Sequence, residues 1–302
     1  FILILQSMFG PVQQLSQLFN LLQSGTASLN KLFGLLDEDV ELADAPGAEA
    51  IGSTGAVELE TVSFAYGTGP RVLDDVSLDI APGERIAFVG PTGAGKSTVA
   101  KLVSRFYDPT DGVVRVGGTD LTATTVASRR REIVVVPQEG FLFSGTIGDN
   151  IRLAKPDATD DQVRAALDRL GITDVFASLP DGLDTEVQER GSRLSAGERQ
   201  LVSLARAALV DPSVLILDEA TSSVDPGTEA IVEAAMETLM QGRTVIAIAH
   251  RLSTSQRCDR VGVVNDGRLV ELGSHEDLVA AGGHYAELFD AWTQGLAGAP
   301  GT

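Results

Sequence analysis

The residues with the most pointed chemistry are Gly90 to Thr98, GPTGAGKST. They match the pattern G-x-x-x-x-G-K-[ST] in full. Gly90, Gly93 and Gly95, with Pro91, Thr92 and Ala94 between them, let backbone N–H groups curl around phosphate oxygens. Lys96 is spaced to reach β- and γ-phosphate, and the Ser97 hydroxyl can coordinate Mg²⁺; Thr98 closes the motif. The apolar stretch RIAFVG precedes it and STVAKLVSRFY follows. That is the strand–loop–helix order in which a helix N-terminus adds positive potential at the anion.

A bound triphosphate also needs an acid at a neighbouring strand end. VLILDEA supplies two, Asp218 and Glu219. Asp218 fits the metal side. Glu219, one residue on, can aim its carboxylate at an attacking water as general base. Two other apolar runs end similarly. IVVVPQ ends in Gln138, whose amide can ligate Mg²⁺ or orient water. TVIAIAH ends in His250, which can donate a hydrogen bond to γ-phosphate. Ligands of open α/β sheets bind at the carboxyl ends of strands.

RLSAGERQLVSLARAAL, residues 193–209, admits two readings. Ser195 and Glu198 form the S-x-x-E pattern of a helix capping box, and Leu201, Leu204, Ala205 and Ala208 share one face. Capping leaves Gly197 in the first turn unexplained, since Gly there costs up to about 1 kcal/mol relative to Ala. A phosphate-binding helix start accounts for both Ser195 and Gly197.

Elements that position these residues are visible in the periodicity. VELETVSFAY and VLDDVSLDI alternate as strands. STVAKLVSRFY reads as a helix with Val99, Leu102, Val103 and Phe106 on one face, stopped at Asp108-Pro109. ATDDQVRAALDRLG carries a capping box at Thr159 and Gln162 and a stop at Gly171. RVGVVNDGRLVELG reads as a hairpin about Asp266-Gly267, and HEDLVAAGGHYAELFDAW as one last helix. Strands alternating with helices predict a parallel α/β sheet, with a mostly helical insertion from about 141. The chain has 302 residues and a net charge of −19, which argues against a nucleic-acid scaffold. One cysteine, Cys258, excludes an intrachain disulfide. The chain opens on FILILQSMFG without a basic flank, which reads equally as the cut end of something hydrophobic or as an amphipathic docking helix. LADAPGAEAIGSTG reads as a linker, with a new domain near Val57.

Together these motifs resemble the nucleotide-binding domain of ATP-binding cassette (ABC) transporters across residues 57–292. The family signature, Leu-Ser-Gly-Gly-Gln, is met by Leu194, Ser195, Ala196, Gly197 and Glu198, departing at Ala196 and Glu198. The resemblance implies that Tyr66 stacks on adenine and that SSVD, ending in Asp225, is the D-loop. LFSGTIGDNI and TEVQERG resemble segments by which exporter-type cassettes meet membrane domains, with Gln188 replacing a usual Gly.

The implied fold is a P-loop NTPase (RecA-like) core with an antiparallel β subdomain, an inserted α-helical subdomain (about 141–209) and a short N-terminal helical segment. Residues 1–40 resemble the end of a transmembrane domain, 41–56 a linker, and 293–302 a flexible tail. The implied function is ATP hydrolysis with Mg²⁺ that powers export across a membrane, with this part on the cytoplasmic side. Glu219, His250 and Gln138 would be catalytic; Ser97, Gln138 and Asp218 would face the metal. The implied partners are a second cassette, identical or not, its own or a partner's transmembrane domain, and a transported substrate, with no nucleic acid. The alternative is a soluble ABC ATPase acting on nucleic acid or the translation machinery, which the acidic balance disfavours.

Overall fold

A computed structural model describes residues 2–38, 42–138, 140–187, 193–218, 226–249 and 252–297. It divides into two units, residues 1–43 and 44–302. The first is the helix α1 (Ile2–Leu36), which carries Pro11 within it. Its apolar side chains from Phe9 to Leu36 are exposed. Gln13, Gln14, Ser16, Gln17 and Asn20 recur among them. Among the described residues no helix is long and apolar enough to cross a membrane.

The second unit holds two principal sheets. The antiparallel one has the order β2-β1-β4-β5, from β1 (Val57–Ala65), β2 (Arg71–Ile80), β4 (Asp111–Val116) and β5 (Thr119–Asp120). The larger has the order β12-β11-β3-β10-β9-β6. Its strands are β3 (Arg85–Val89), β6 (Ile133–Val136), β9 (Val214–Asp218), β10 (Thr244–Ile248), β11 (Arg260–Asn265) and β12 (Arg268–Gly273). Five of these run parallel, and β12 turns back antiparallel on β11. Near-continuous apolar runs such as VLILD are what a parallel strand covered on both faces requires.

The alternation of side chains sorts that sheet between its two faces, and Ala87, Val89, Val261 and Val263 join Leu278 and Tyr285 in a third, smaller core beside the two larger ones. Leu215, Leu217, Val245 and Ala247 face a cluster with Val163, Leu201 and Val232. Those come from α5 (Asp160–Leu170), α7 (Ala196–Val210) and α8 (Pro226–Met240). Val214, Ile216, Ile246 and Ile248 face the other way, with Leu59 and Leu78 of the antiparallel sheet and Val99 and Leu102 of α2 (Lys96–Val103). Shorter helices fill the rest: α3 (Val126–Glu132), α4 (Ile147–Arg152), α6 (Thr173–Ala177) and α9 (Leu252–Gln256). A two-stranded ladder joins β7 (Gly145–Thr146) to β8 (Glu186–Val187).

Three local expectations meet different outcomes. α5 starts on the Thr159–Gln162 capping box and stops at Gly171, φ 68°. α2 is shorter than its pattern: it ends at Val103, Arg105 takes φ 50°, and Phe106 is 59% exposed rather than on the buried face. The last helix is two, α10 (His275–Ala281) and α11 (His284–Ala297), because Gly282 takes φ 67° and ends the first. In the stretch read as a linker, Ile51 is buried, its N–H donates to Ser128 Oγ (2.7 Å), and Glu49 bridges to Thr124.

Candidate functional site

Strand pairing lines up the chemistry. Ile248 of β10 pairs with Asp218 on one side and Phe88 of β3 on the other, and Leu217 pairs with Val136 of β6. Gly90 lies just past Phe88 and Gln138 just past Val136. Gly90, Gln138 and Asp218 therefore gather along the carboxyl edge of one parallel sheet, where open α/β sheets bind ligands.

Between β3 and α2 the loop takes a left-handed backbone at Gly90, Gly93 and Gly95, and at two of these a side chain would also have no room. Gly90 has φ 140°, and a Cβ there would sit 2.0 Å from Val264 O. Gly95 has φ 111°, and its Cβ would meet Leu73 Cδ2 at 2.7 Å. Lys96 is buried; its Nζ donates to Gly90 O (2.7 Å) and Pro91 O (2.9 Å), spanning the loop's mouth. Burial pushes its pKa below the ordinary lysine value, because desolvation disfavours the charged form. A phosphate beside this ammonium would restore what burial takes away. Gly95 caps α2 without a side-chain hydrogen bond, so the helix start presents backbone donors. Ser97 is exposed at that start, while Thr98 is buried.

The loop has a support that its motif does not announce. Gly267, in the hairpin turn between β11 and β12, donates its N–H to Ala94 O (3.0 Å) and accepts from Asp74 N (2.9 Å). A Cβ on Gly267 would lie 2.5 Å from Val72 O. The Asp266-Gly267 pair signals a hairpin; that the hairpin braces the phosphate loop follows only from β11 pairing with β3.

Tyr66 follows β1 and is half-buried. Its ring meets Phe64 (4.8 Å, 86°) and Tyr107 (5.1 Å, 89°) edge-on. Its hydroxyl lies 3.1 Å from Thr98 Oγ1, tying it to the phosphate-loop helix. Lys101 Nζ stands 5.4 Å from the ring centroid and 3.4 Å from the hydroxyl. Tyr107 and Lys101 belong to no motif, so nothing in the sequence marks them.

At the start of α7 both capping bonds form: Glu198 N–H donates to Ser195 Oγ (3.2 Å) and Ser195 N–H to Glu198 Oε2 (2.7 Å). The Ser195 hydroxyl can still donate outward, as any hydroxyl that accepts can. Leu194 is buried and its carbonyl accepts from Arg199 Nη1 (2.6 Å). Gly197 is buried in the first turn and Ala196 half-buried. The cap explains Glu198, whose carboxylate is spent on its own helix. Glu198→Gln keeps an acceptor there, so melting temperature and KM for ATP stay unchanged. Glu198→Ala loses about 1 kcal/mol of stability by thermal melting. A lower KM in Glu198→Gln would mean that the charge faces a phosphate instead.

Asp218 is half-buried and Gln138 exposed at the sheet edge. Glu219, Asp225, His250 and Gln188 lie outside the described residues.

A sequence model of a family described as "ABC transporter" matches residues 73–222. The chain is 44% identical over 284 residues to the uncharacterized ABC transporter ATP-binding protein YknV of Bacillus subtilis (strain 168), covering 93% of this chain and 47% of that protein. It is 43% identical over 281 residues to the ATP-dependent lipid A-core flippase of Burkholderia pseudomallei (strain 1710b), covering 92% and 47%. To human ATP-binding cassette sub-family B member 6 it is 41% identical over 283 residues, covering 93% and 34%. A bacterial Atm1-family ABC exporter solved with ATP bound superposes with a TM-score of 0.81 at 39% identity, covering 98% of this chain and 51% of that one. The chain thus spans about half the length, or less, of the relatives it matches.

Proposed function

We propose, for a chain that belongs to the ABC transporter family through the domain at residues 73–222, that it is the ATP-hydrolysing part of a membrane exporter. The family is one of ATP-binding, ATP-hydrolysing proteins, and exporters are among this chain's relatives. The observation that carries the reading is Lys96, a buried ammonium at the mouth of a loop whose glycines and helix start face the same place. Phosphate is the ligand such a site is built to hold.

ATP supplies the phosphoanhydride bond whose cleavage drives the cycle. In this reading Gly90 to Thr98 cradle the phosphates and Tyr66 offers its ring to adenine. Mg²⁺ usually keeps several waters and takes one or two carboxylates plus phosphate oxygens. The Ser97 hydroxyl, the Asp218 carboxylate and the Gln138 amide are a donor set of that kind. Glu219 takes the proton of the attacking water, and His250 donates a hydrogen bond at the γ-phosphate.

Leu194 to Glu198 of a second, like or unlike, cassette complete the site, with Asp225 in the D-loop between them. Residues 1–40 then end a transmembrane domain and 41–56 link it to the cassette at 57–292, whose helical subdomain spans about 141–209. Residues 293–302 form the tail, of which 293–297 continue α11. The assembly would lie on the cytoplasmic side of the cell membrane and act on a transported substrate, not nucleic acid. Phosphate release from ATP by this chain tests the reading; neither binding nor release would end it.

The adenine contact has its own test. Tyr66→Ala weakens ATP and GTP binding alike, by about 1–3 kcal/mol, since stacking reads a π-face. Tyr66→Phe keeps the ring, loses the hydroxyl's contacts with Thr98 Oγ1 and Lys101 Nζ, and binds as the parent does. Unchanged titration in Tyr66→Ala would leave the residue as packing for Phe64 and Tyr107.

A further inference from the structure

Helix α7 begins at the signature, with Ser195 as its cap, and about three turns further on carries Arg206. Arg206 is half-buried, and among the described residues no carboxylate pairs with it. Its Nε donates to Asn150 O (2.8 Å), Nη2 to Asn150 Oδ1 (2.8 Å) and Nη1 to Phe141 O (2.7 Å). Burial lowers its pKa from the ordinary arginine value. A cation withdrawn from water and given only neutral acceptors is costly, and good geometry must offset that cost.

Asn150, 2% exposed, ties the other half of the knot. Its Oδ1 accepts from Phe143 N (2.9 Å), and its Nδ2 donates to Phe143 O and Thr146 O (both 2.9 Å). The segment so held starts just after Gln138. Its first described residue, Gly140, lies so close to α7 that a Cβ would meet Arg199 O and Ser203 Oγ at 2.5 Å. Apolar burial does not account for this placement on its own. Leu142 is buried, but Phe141 and Phe143 are 54% and 57% exposed. Polar side chains therefore fix residues 140–146 along α7 from Arg199 to Arg206.

We propose that Arg206 and Asn150 are positioning residues that lock the Gln138 loop to the helix of Ser195, so that the metal-facing amide and the signature move as one piece. This rests on the reading of Gln138 and Ser195 as ATP-site residues, and goes beyond it in naming what couples them. Neither positioning residue touches ATP; both act through the loop.

The test is phosphate release by the whole chain across ATP and Mg²⁺ concentrations. Arg206→Lys keeps the charge and loses the three-pronged grip. Asn150→Asp loses both amide donors yet gives Arg206 a carboxylate. The second variant therefore loosens the loop at Phe143 O and Thr146 O without leaving an unpaired cation, and serves if Arg206→Lys does not fold. Each is expected to lower kcat about 10-fold or more, as misplacement of a site group does. KM for ATP should stay within about twofold, because the Lys96 loop is untouched. Half-maximal rate should need more Mg²⁺.

In a Gln138→Ala background the same changes should cost nothing further, since what they position is gone; a scaffolding role would cost the same in both backgrounds. Additive losses would overturn the lock and leave the ATP-site reading of Gln138 standing. Normal turnover in Gln138→Ala alone would overturn that reading and the lock with it.

Discussion

Glu219→Gln slows phosphate release by at least about 100-fold while ATP still binds, the scale expected when a general base is lost. The substitution keeps the size of the side chain and removes its negative charge, and with it the capacity to take a proton. Asp218, the residue before it, ends β9 half-buried at the sheet's carboxyl edge, level across the sheet with Phe88 of the phosphate-loop strand. A charge-preserving control separates the roles. Glu219→Asp shortens the reach by one methylene and should retain more activity than Gln, because a carboxylate remains. Binding titrations and phosphate release must be measured together. Near-normal release from Glu219→Gln would remove Glu219 from the chemistry.

Lys96→Ala abolishes measurable ATP binding and turnover without lowering the melting temperature. The reason is in the sign of the lysine's shift. Burial disfavours its charged form, so at pH below its depressed pKa the empty fold bears the cost of a buried cation. Deleting that cation relieves the fold and deprives the phosphates. A large fall in melting temperature would show that the bonds to Gly90 O and Pro91 O matter more than the charge. The same variant tests whether sites are shared between chains. Ser195→Ala is also expected to be inactive alone. Mixed with Lys96→Ala, it forms some pairs in which one composite site carries both defects and the other neither, and activity returns. Rate per molecule should also rise with protein concentration. A flat rate down to dilutions where only monomer is detected would rule out a shared site.

What could be read in the sequence was what depends on neighbours along the chain. Nine residues specify the phosphate loop, because the φ values of Gly90 and Gly95 and the helix start after them are local matters. The capping boxes at Thr159 and Ser195 were legible for the same reason: a side chain and an amide three residues away need no distant partner. Apolar runs ending in Gln138 and Asp218 marked strand ends, since a strand buried on both faces is apolar throughout. Resemblance supplied the roles of Tyr66 and the signature, which spacing alone left open.

Tertiary structure alone decided what lies across from what. No sequence pattern places the Gly267 turn under Ala94, Lys101 over Tyr66, or the backbone of Phe141 in the grip of Arg206. Those contacts join residues far apart in the chain, and which of them meet is settled by how the β11–β3 and β6–β9 pairings and the cores bury their side chains. Where local pattern and packing disagreed, packing won. The helix after the phosphate loop stops at Val103 and leaves Phe106 in solvent, although periodicity would have carried it inward. Arg105 takes φ 50° there, and its guanidinium pairs with Asp108 and reaches Thr124 O. Periodicity reports which face a helix would bury; only the partners available in space determine whether it continues.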